Sequence, residues 1–306
     1  MTNEANNLTK DRSKNPVGVL GLGIMGSAIA HNLINAGHTV IGYDPNDSRR
    51  QEAVSLGIHM RENSVDVSAE CKIVLLSLPN ASALDSSVSA IVERSDLHHA
   101  ARIWVELSTL DLESKTQNRD RLADVGVAML DCPISGTGAQ ALAGDIVIYA
   151  SGDKAMYEHC VPVFENFARS NFFLGEFGQG IKMKFVANLL VAIHNVATAE
   201  ALVFGTSCGL DPEVLCEVIG AGAGSSRIFE LRSSLMASGV YDPPTMKLDV
   251  WQKDMTLIGK FAEEIGTPTP LFSATEPLYS AALKKGLGQQ DTAAVCAVLQ
   301  DMVEKQ

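Results

Sequence analysis

The chain has 306 residues, of which 46% are hydrophobic and 20% are charged, and its formal net charge is −12. This length leaves room for roughly two globular domains, and the composition is ordinary for a folded protein. The negative charge argues against nucleic acid or an anionic lipid surface as a partner. Polar residues interrupt the apolar runs, so the sequence predicts no membrane span.

The first 15 residues are polar and contain no apolar segment of the kind that secretory signals carry, so they are predicted to form a flexible tail. Six cysteines show neither a CxxC motif nor zinc-ligand spacing. We therefore expect buried free thiols, no metal site and a reducing, cytoplasmic location. The cysteines are Cys71, Cys132, Cys160, Cys208, Cys216 and Cys296.

Residues 16–177 alternate short apolar runs with amphipathic stretches. This pattern is typical of parallel strands joined by crossover helices, and it predicts a doubly wound α/β domain of the Rossmann type. The predicted strands lie at residues 17–20, 39–43, 72–78, 103–107, 127–130, 146–150 and 172–174.

Residues 178–306 show only helical patterns, and they predict an all-α second domain. Its first helix spans residues 178–209 and ends at Gly209, a residue type common just after helices. The next helix is predicted to begin with Asp211 as its N-cap and Pro212 as its first residue.

A glycine-rich motif follows the first predicted strand and precedes a helix. In such motifs the first glycine allows a tight turn, the second lets the backbone approach a pyrophosphate, and the third lets helix and strand pack closely. The helix N-terminus then faces the phosphates. The motif consists of Gly21, Leu22, Gly23, Ile24, Met25 and Gly26.

Asp44 ends the second predicted strand, at the spacing expected for a carboxylate that binds an adenosine ribose. It would repel a 2′-phosphate and therefore favours NAD over NADP. Arg49 and Arg50 leave an alternative open, since they could bind that phosphate or form a solvated helix face.

Three further strand ends carry candidate ligand-binding residues. Leu78-Pro79 and Ser108-Thr109 are expected to line the cofactor crevice, although plain turns would explain them equally well. Ser135, Gly136 and Thr137 offer hydroxyl and backbone N–H groups to a substrate carboxylate, or form an ordinary loop.

The long helix places polar residues on one face at its start. Lys184, Asn188, Val191 and Asn195 share this face, whereas Lys182 points away and is expected to contact solvent. A lysine amine can donate a proton as an ammonium, or accept one when burial lowers its pKa. Lys253 is a candidate second cation; the alternative is an exposed lysine paired with Asp249.

Four motifs in this order resemble those of the β-hydroxyacid dehydrogenases, a family that includes 3-hydroxyisobutyrate dehydrogenase. They are GLGIMG, DCPISGTGAQALAG, GQGIKMKFVAN and KDM, and the resemblance extends from Val17 to the final helices. It implies a Rossmann domain, a helical domain that forms a homodimer or homotetramer, and an active site in the interdomain cleft.

The resemblance also implies individual roles. Lys184 matches the catalytic lysine, Ser135-Gly136 and Asn188 match substrate-binding positions, and Lys253 matches a lysine near nicotinamide and substrate. Leu78-Pro79 and Thr109 match cofactor-contacting positions.

Two residues depart from the better-known members: Thr137 replaces a second glycine, and Ala187 replaces Asn or His. These departures put 3-hydroxyisobutyrate as the substrate in doubt, whereas Asp44-Pro45 agrees with NAD.

The sequence thus predicts an NAD(P)-dependent enzyme that interconverts a small β-hydroxy acid and its semialdehyde or keto acid, with Lys184 as general acid/base. Imine reductases resemble this family in architecture, but they usually lack a lysine at the position that corresponds to Lys184, and they prefer NADPH. A non-catalytic binding protein on a dehydrogenase scaffold is the second alternative, although such relatives lose this lysine.

Overall fold

The computed structural model of the chain describes residues 16–94 and 102–304. The predicted tail at residues 1–15 lies outside the described residues. The chain divides into two compact units, an N-terminal unit that ends at Ile181 and a C-terminal unit that begins at Lys182.

Six strands of the N-terminal unit form a single parallel sheet. They are β1 (Val17–Leu20), β2 (Val40–Tyr43), β3 (His59–Met60), β4 (Ile73–Leu76), β5 (Ile103–Glu106) and β6 (Ala128–Asp131). Their order across the sheet is β3-β2-β1-β4-β5-β6. Strands β2 and β3 are added on one side of β1, and β4 to β6 on the other side, as in dinucleotide-binding folds. This order confirms the predicted doubly wound α/β class.

Helices follow the strands and cover both faces of the sheet. Along β4, Val74 and Leu76 pack into one apolar cluster, whereas Leu75 packs into the other. A strand buried on both faces needs apolar residues at every position, which explains the continuous runs in the sequence. The helices of this unit are α1 (Ile24–Asn35), α2 (Asp47–Ser55), α3 (Ser64–Glu70), α4 (Ala81–Val92), α5 (Leu112–Ala123), α6 (Gly138–Leu142) and α7 (Lys154–Phe164).

The last two predicted strands form a separate sheet with a short strand that the sequence did not predict. Its members are β7 (Ile134–Ser135), β8 (Val147–Ala150) and β9 (Ser170–Phe173). Strand β8 is antiparallel to β7 and parallel to β9. A backbone bridge between Asp131 and Ser151 joins the ends of β6 and β8.

The C-terminal unit is helical, as predicted. Helix α8 (Gln179–Ser207) begins in the N-terminal unit and continues into this one; the others are α9 (Pro212–Gly220), α10 (Arg227–Ser238), α11 (Leu248–Glu264), α12 (Pro270–Lys284), a 3-10 turn (Thr292–Ala294) and α13 (Val295–Glu304). The carboxylate of Asp211 caps α9, with Pro212 as its first residue, as predicted. By length and composition α8 could also cross a membrane, a property that core helices of soluble proteins share.

Asn195 takes part in a buried polar network inside the C-terminal unit. Its amide donates to the Tyr279 hydroxyl and the Thr292 carbonyl, each at 2.9 Å, and its oxygen lies 3.4 Å from Arg232. The Arg232 guanidinium in turn pairs with Asp291. The sequence grouped Asn195 with Lys184 because they share a helix face, but its bonds are those of a core residue.

The first turn of α8 is fixed to the end of strand β6. The Ile181 N–H donates to the Asp131 carboxylate at 2.8 Å, and the Gly180 N–H donates to the Ser151 hydroxyl at 2.9 Å. A Cβ atom at Gly180 would lie 2.4 Å from the Tyr149 carbonyl oxygen. Only glycine therefore allows the helix to approach the two strands this closely.

We expect Gly180→Ala to lower the free energy of unfolding by about 3 kcal/mol, because the new methyl group meets rigid backbone atoms. Gly220→Ala is the matched control: Gly220 has an ordinary φ, and no atom within 4 Å of a Cβ built there. The control should be neutral or stabilising by up to about 1 kcal/mol. Urea unfolding measures both variants, and equal effects would contradict the close packing at Gly180.

Candidate functional site

The glycine-rich loop between β1 and α1 has the geometry that a dinucleotide requires. Gly21 has a φ of +86°, and a Cβ there would lie 2.2 Å from the Ser77 carbonyl oxygen. A Cβ at Gly26 would lie 1.9 Å from the Gly21 carbonyl oxygen. At Gly23 the nearest atom is the Arg49 guanidinium, 3.6 Å from the Cβ position, so the backbone is approachable from that side.

Helix α1 begins at Ile24 and Met25 without a side-chain cap. Its first N–H groups and its dipole are therefore available to an anion, which is the basis of phosphate binding at helix N-termini. The loop thus combines close backbone access with an uncapped helix start.

Asp44 supports the glycine-rich loop from the end of β2. Its buried carboxylate accepts the Leu22 N–H at 2.8 Å with one oxygen and the Asn46 N–H at 2.9 Å with the other. Each carboxylate oxygen can accept about two hydrogen bonds, so capacity remains for ribose hydroxyls. Arg49 lies 3.5 Å from the same carboxylate.

The two arginines on α2 differ in their surroundings. Arg49 is half exposed beside Asp44 and Gly23, whereas Arg50 pairs with Glu62 at 3.0 Å and donates to the Arg61 carbonyl oxygen. Arg49 is therefore the arginine placed next to the predicted ribose site.

Hydrogen bonds connect the two strand-end loops that the sequence assigned to the cofactor crevice. The Leu78 N–H, just before Pro79, donates to the Ser108 hydroxyl at 2.8 Å, and the Ser108 N–H donates to the Glu106 carboxylate at 2.8 Å. Thr109 follows Ser108 directly. Because β1, β4 and β5 are parallel neighbours, their carboxyl ends meet at one edge of the sheet.

The predicted substrate loop starts on strand β7 and ends in helix α6. Ser135 is the last residue of β7, and Gly136 has a φ of +145°, with Ile146 only 2.6 Å from its Cβ position. Thr137 and Gln140 form a capping box in which the Thr137 N–H donates to the Gln140 side chain at 3.0 Å. This N–H, which the sequence assigned to the substrate carboxylate, is thus bonded within the loop.

The substrate loop also packs against the glycine-rich loop. A Cβ at Gly138 would lie 2.3 Å from the Ile24 side chain, and the Asn32 amide donates to the Ala141 carbonyl at 2.7 Å. Two motifs more than a hundred residues apart in sequence therefore lie in contact within the N-terminal unit.

Three of the predicted residues gather around a buried carboxylate in the C-terminal unit. The Asn188 amide donates to Asp254 at 2.8 Å, and the Lys253 ammonium lies 3.5 Å from the other Asp254 oxygen. Lys184 is buried beside them. Burial lowers the pKa of its amine below the usual value; Asp254 opposes this shift, and Lys253 adds to it.

Asp254 was not predicted as a site residue. Burial raises the pKa of its carboxyl, while Lys253 and Lys184 act in the opposite direction. The available signal was its position on α11, where it shares the buried side with Trp251 and Ile258. An acidic residue on an apolar helix face requires a partner.

Other expectations are met only in part. Lys182 is half-buried rather than solvent-exposed, and Cys208 and Cys216 are not buried, unlike the other four cysteines. Within residues 16–94 and 102–304, no group of three His, Cys, Asp or Glu side chains could hold a metal ion.

The charges around Lys184 predict opposite effects of two substitutions. Lys253→Met should raise the pKa of Lys184, because it removes a cation and leaves Asp254 to favour the ammonium. Asp254→Asn should lower this pKa further. NMR titration of labelled lysine side chains measures both shifts. Lys260→Met, an exposed site on the same helix, is the control, and shifts of the same sign in the first two variants would contradict the assignment.

Comparison with known proteins gives matches over both units. Residues 16–175 match the family model of the NAD-binding domain of 6-phosphogluconate dehydrogenase, and residues 178–299 match the NAD-binding domain of NADP-dependent 3-hydroxyisobutyrate dehydrogenase. Glyoxylate/succinic semialdehyde reductase 2 of Arabidopsis thaliana is 33% identical over 92% of this chain and 79% of its own length.

Two further matches extend along nearly the whole chain. 2-(Hydroxymethyl)glutarate dehydrogenase of Eubacterium barkeri is 30% identical over 94% of this chain and 95% of its own length. The structure of Mycobacterium tuberculosis 3-hydroxyisobutyrate dehydrogenase with L-serine covers 94% of this chain and 99% of its own, with a TM-score of 0.83 and 25% identity. The chain therefore belongs to the β-hydroxyacid dehydrogenase family and is an NAD(P)-dependent oxidoreductase that interconverts hydroxy acids with their semialdehydes or keto acids.

Proposed function

We propose that Lys184 is the general acid/base of this dehydrogenase. The observation that carries the proposal is a buried lysine whose pKa is lowered, on the same helix as Asn188 and near the charges of Lys253 and Asp254. A lysine in such surroundings can exist as a neutral amine closer to physiological pH than an exposed one, and so can accept a proton.

In the oxidation direction, the neutral amine of Lys184 accepts the proton of the substrate hydroxyl. In the reduction direction, its ammonium protonates the oxygen of the carbonyl that is reduced. The nicotinamide dinucleotide, when bound, supplies or accepts the hydride. Asn188 orients the reacting oxygen, and its bond to Asp254 fixes the direction of its amide.

For the substrate carboxylate we propose Ser135 and Gly136 as the direct binding residues. Thr137 is part of the same loop, but its N–H is bonded to Gln140. Its proposed contribution is therefore to hold the loop rather than to donate that N–H. The substrates named for the relatives are short acids with an aldehyde or hydroxyl group, and we propose this class for the present chain.

For the cofactor we propose NAD. Asp44 is fixed by two backbone N–H groups at the expected ribose position, where its charge disfavours a 2′-phosphate. Arg49 offsets part of this charge, so the preference should be moderate. Lys253 and the loops at Leu78-Pro79 and Thr109 are proposed to contact the nicotinamide half.

We also propose that the protein is a homodimer or homotetramer. Exposed apolar residues follow one side of α8 in steps of three, four and seven: Met183, Val186, Leu190, Ala197 and Phe204. Residues spaced seven apart lie along one side of a helix, so they form an apolar stripe that can pack against the same stripe of a second copy.

The six free cysteines support a cytoplasmic location, which cell fractionation would test.

We expect Lys184→Ala to reduce kcat by about 10²–10⁴-fold, the usual contribution of a general acid/base, while the Kd for the dinucleotide changes little. In the wild type, the oxidation rate should rise with pH through the lowered pKa of Lys184, and the reduction rate should fall over the same range. The variant should lose this titration.

The assay panel contains 3-hydroxyisobutyrate, glycerate and threonate with NAD and NADP separately, and glyoxylate and succinic semialdehyde with the reduced nucleotides. Lys182→Ala, which removes a lysine two residues earlier, is the control and should retain activity. Near-normal turnover of Lys184→Ala would overturn the assignment. Turnover of a cyclic imine with NADPH, in place of the acids, would favour the imine reductase alternative.

Light scattering on the purified protein without detergent should give a mass of two or four chains. Leu190→Glu and Phe204→Glu together should shift this mass toward the monomer, because charges would be buried in the interface. Val54→Glu, at an exposed apolar site on α2, is the control. A monomeric wild type, or a double variant that keeps the full mass, would contradict the α8 interface.

A further inference from the structure

Three charged side chains lie completely buried in the N-terminal unit. The Lys115 ammonium, on helix α5, is 2.5 Å from the Glu106 carboxylate and 2.7 Å from the Asp131 carboxylate, and none of the three is exposed. Glu106 and Asp131 are paired residues at the carboxyl ends of β5 and β6. We refer to these three residues as the Lys115 cluster.

The hydrogen bonds of the cluster are nearly complete. Burial disfavours the ammonium, but Asp131 and Glu106 raise the pKa of Lys115, so the lysine is charged. The remaining carboxylate oxygens accept the N–H groups of Ser108 and Ile181. The cluster therefore carries one net negative charge. Backbone N–H groups bind its two carboxylates, Ser108 at Glu106 and Ile181 at Asp131.

One arm of the cluster leads to the loops at the carboxyl end of the sheet. Glu106 accepts the Ser108 N–H, and the Ser108 hydroxyl accepts the Leu78 N–H. Leu78 and Thr109, which follow β4 and β5, are the proposed cofactor contacts. Glu106 is thus connected by hydrogen bonds, through Ser108, to both loops.

The second arm leads to the start of α8. Asp131 accepts the Ile181 N–H and the Ser151 hydroxyl, and the same hydroxyl accepts the Gly180 N–H. Lys184 follows Ile181 by three residues, which is less than one helical turn. Asp131 thus holds the first turn of α8 directly and through Ser151.

We infer that Lys115 is a positioning residue of the reaction, which aligns the cofactor loops through Glu106 and the first turn of α8 through Asp131. It touches neither reactant. The part of this inference that concerns α8, the α8 arm, rests on the proposed role of Lys184. The part that concerns the loops at Leu78 and Ser108, the cofactor arm, rests only on dinucleotide binding.

A purely structural cluster would behave differently. Apolar residues of similar volume often replace buried ion groups without loss of stability, and catalysis would then follow the folded fraction. If Lys115 positions the loops, its removal leaves two facing carboxylates that repel each other, and the geometry changes even in folded protein. Displacements of about 1 Å at a reaction centre can cost on the order of 100-fold in rate.

The test compares Lys115→Met with Lys115→Met/Glu106→Gln. The single variant should weaken dinucleotide binding about tenfold and lower kcat/KM about 100-fold near pH 8. Burial raises the pKa of the neighbouring Cys132 thiol far above its usual value, so this group stays neutral and adds no charge to the cluster.

The double variant restores one net negative charge, and the side-chain amide introduced by Glu106→Gln can donate to Asp131. It should recover dinucleotide affinity to within about threefold of the wild type. Nucleotide fluorescence measures the affinity for the dinucleotide, and thermal unfolding measures the folded fraction. Defects that Glu106→Gln leaves unchanged would overturn the positioning role, as would a folded Lys115→Met with normal kinetics.

A milder variant covers the case in which Lys115→Met fails to fold. Ser108→Ala keeps the cluster but removes the acceptor of the Leu78 N–H, and it should weaken dinucleotide binding about threefold to tenfold with little loss of stability. Ser87→Ala, which removes a hydroxyl bonded to the Ala83 carbonyl in α4, is the control. Unchanged affinity in Ser108→Ala would contradict the cofactor arm even if the hydroxy-acid assays fail, because binding needs no substrate.

Discussion

The contact between the Lys115 ammonium and two carboxylates is the constraint on which the arrangement of the strand ends depends. An apolar interior cannot solvate an isolated charge, so Glu106, Lys115 and Asp131 must remain together for any one of them to be ionised. Their fixed positions determine the course of the loop at Ser108 and the direction in which α8 begins. Parallel pairing of β5 and β6 brings the carboxylates side by side.

Lys115 and Lys184 show how the same side chain acquires two different properties within one chain. Both are buried, but Lys115 has two carboxylates in contact, and its pKa is raised. Around Lys184 the attraction of Asp254 does not outweigh burial and the second cation, and its pKa is lowered. The first environment favours a permanent charge suited to structure, whereas the second favours an amine that can exchange protons.

Long periodic patterns made most of the fold predictable. The α/β class, the all-helical second part and the Asp211 cap follow from local sequence and agree with the structure. Strands β3 and β7 have two residues each, too few to produce a pattern. The Lys115 cluster depends on burial and on pairing between distant strands, which one sequence does not display. Asp254, in contrast, could be found as an acidic residue on the apolar face of α11. The Thr137–Gln140 capping box was visible as a Thr-x-x-Gln motif, but the loop was interpreted only as a set of donors to a ligand.

The carboxylate of Asp44 has a consequence for attempts to change the nucleotide that this enzyme uses. Its two oxygens each accept a backbone N–H, one from Leu22 in the glycine-rich loop and one from Asn46. An asparagine would provide one acceptor oxygen, and an alanine or serine would not reproduce the pair, so at least one of these two backbone N–H groups would lose its bond. Under the proposed NAD preference, the residue that selects the nucleotide is therefore also the residue that supports the glycine-rich turn. Any redesign that replaces Asp44 must supply a new acceptor for the Leu22 N–H of this turn at the same time.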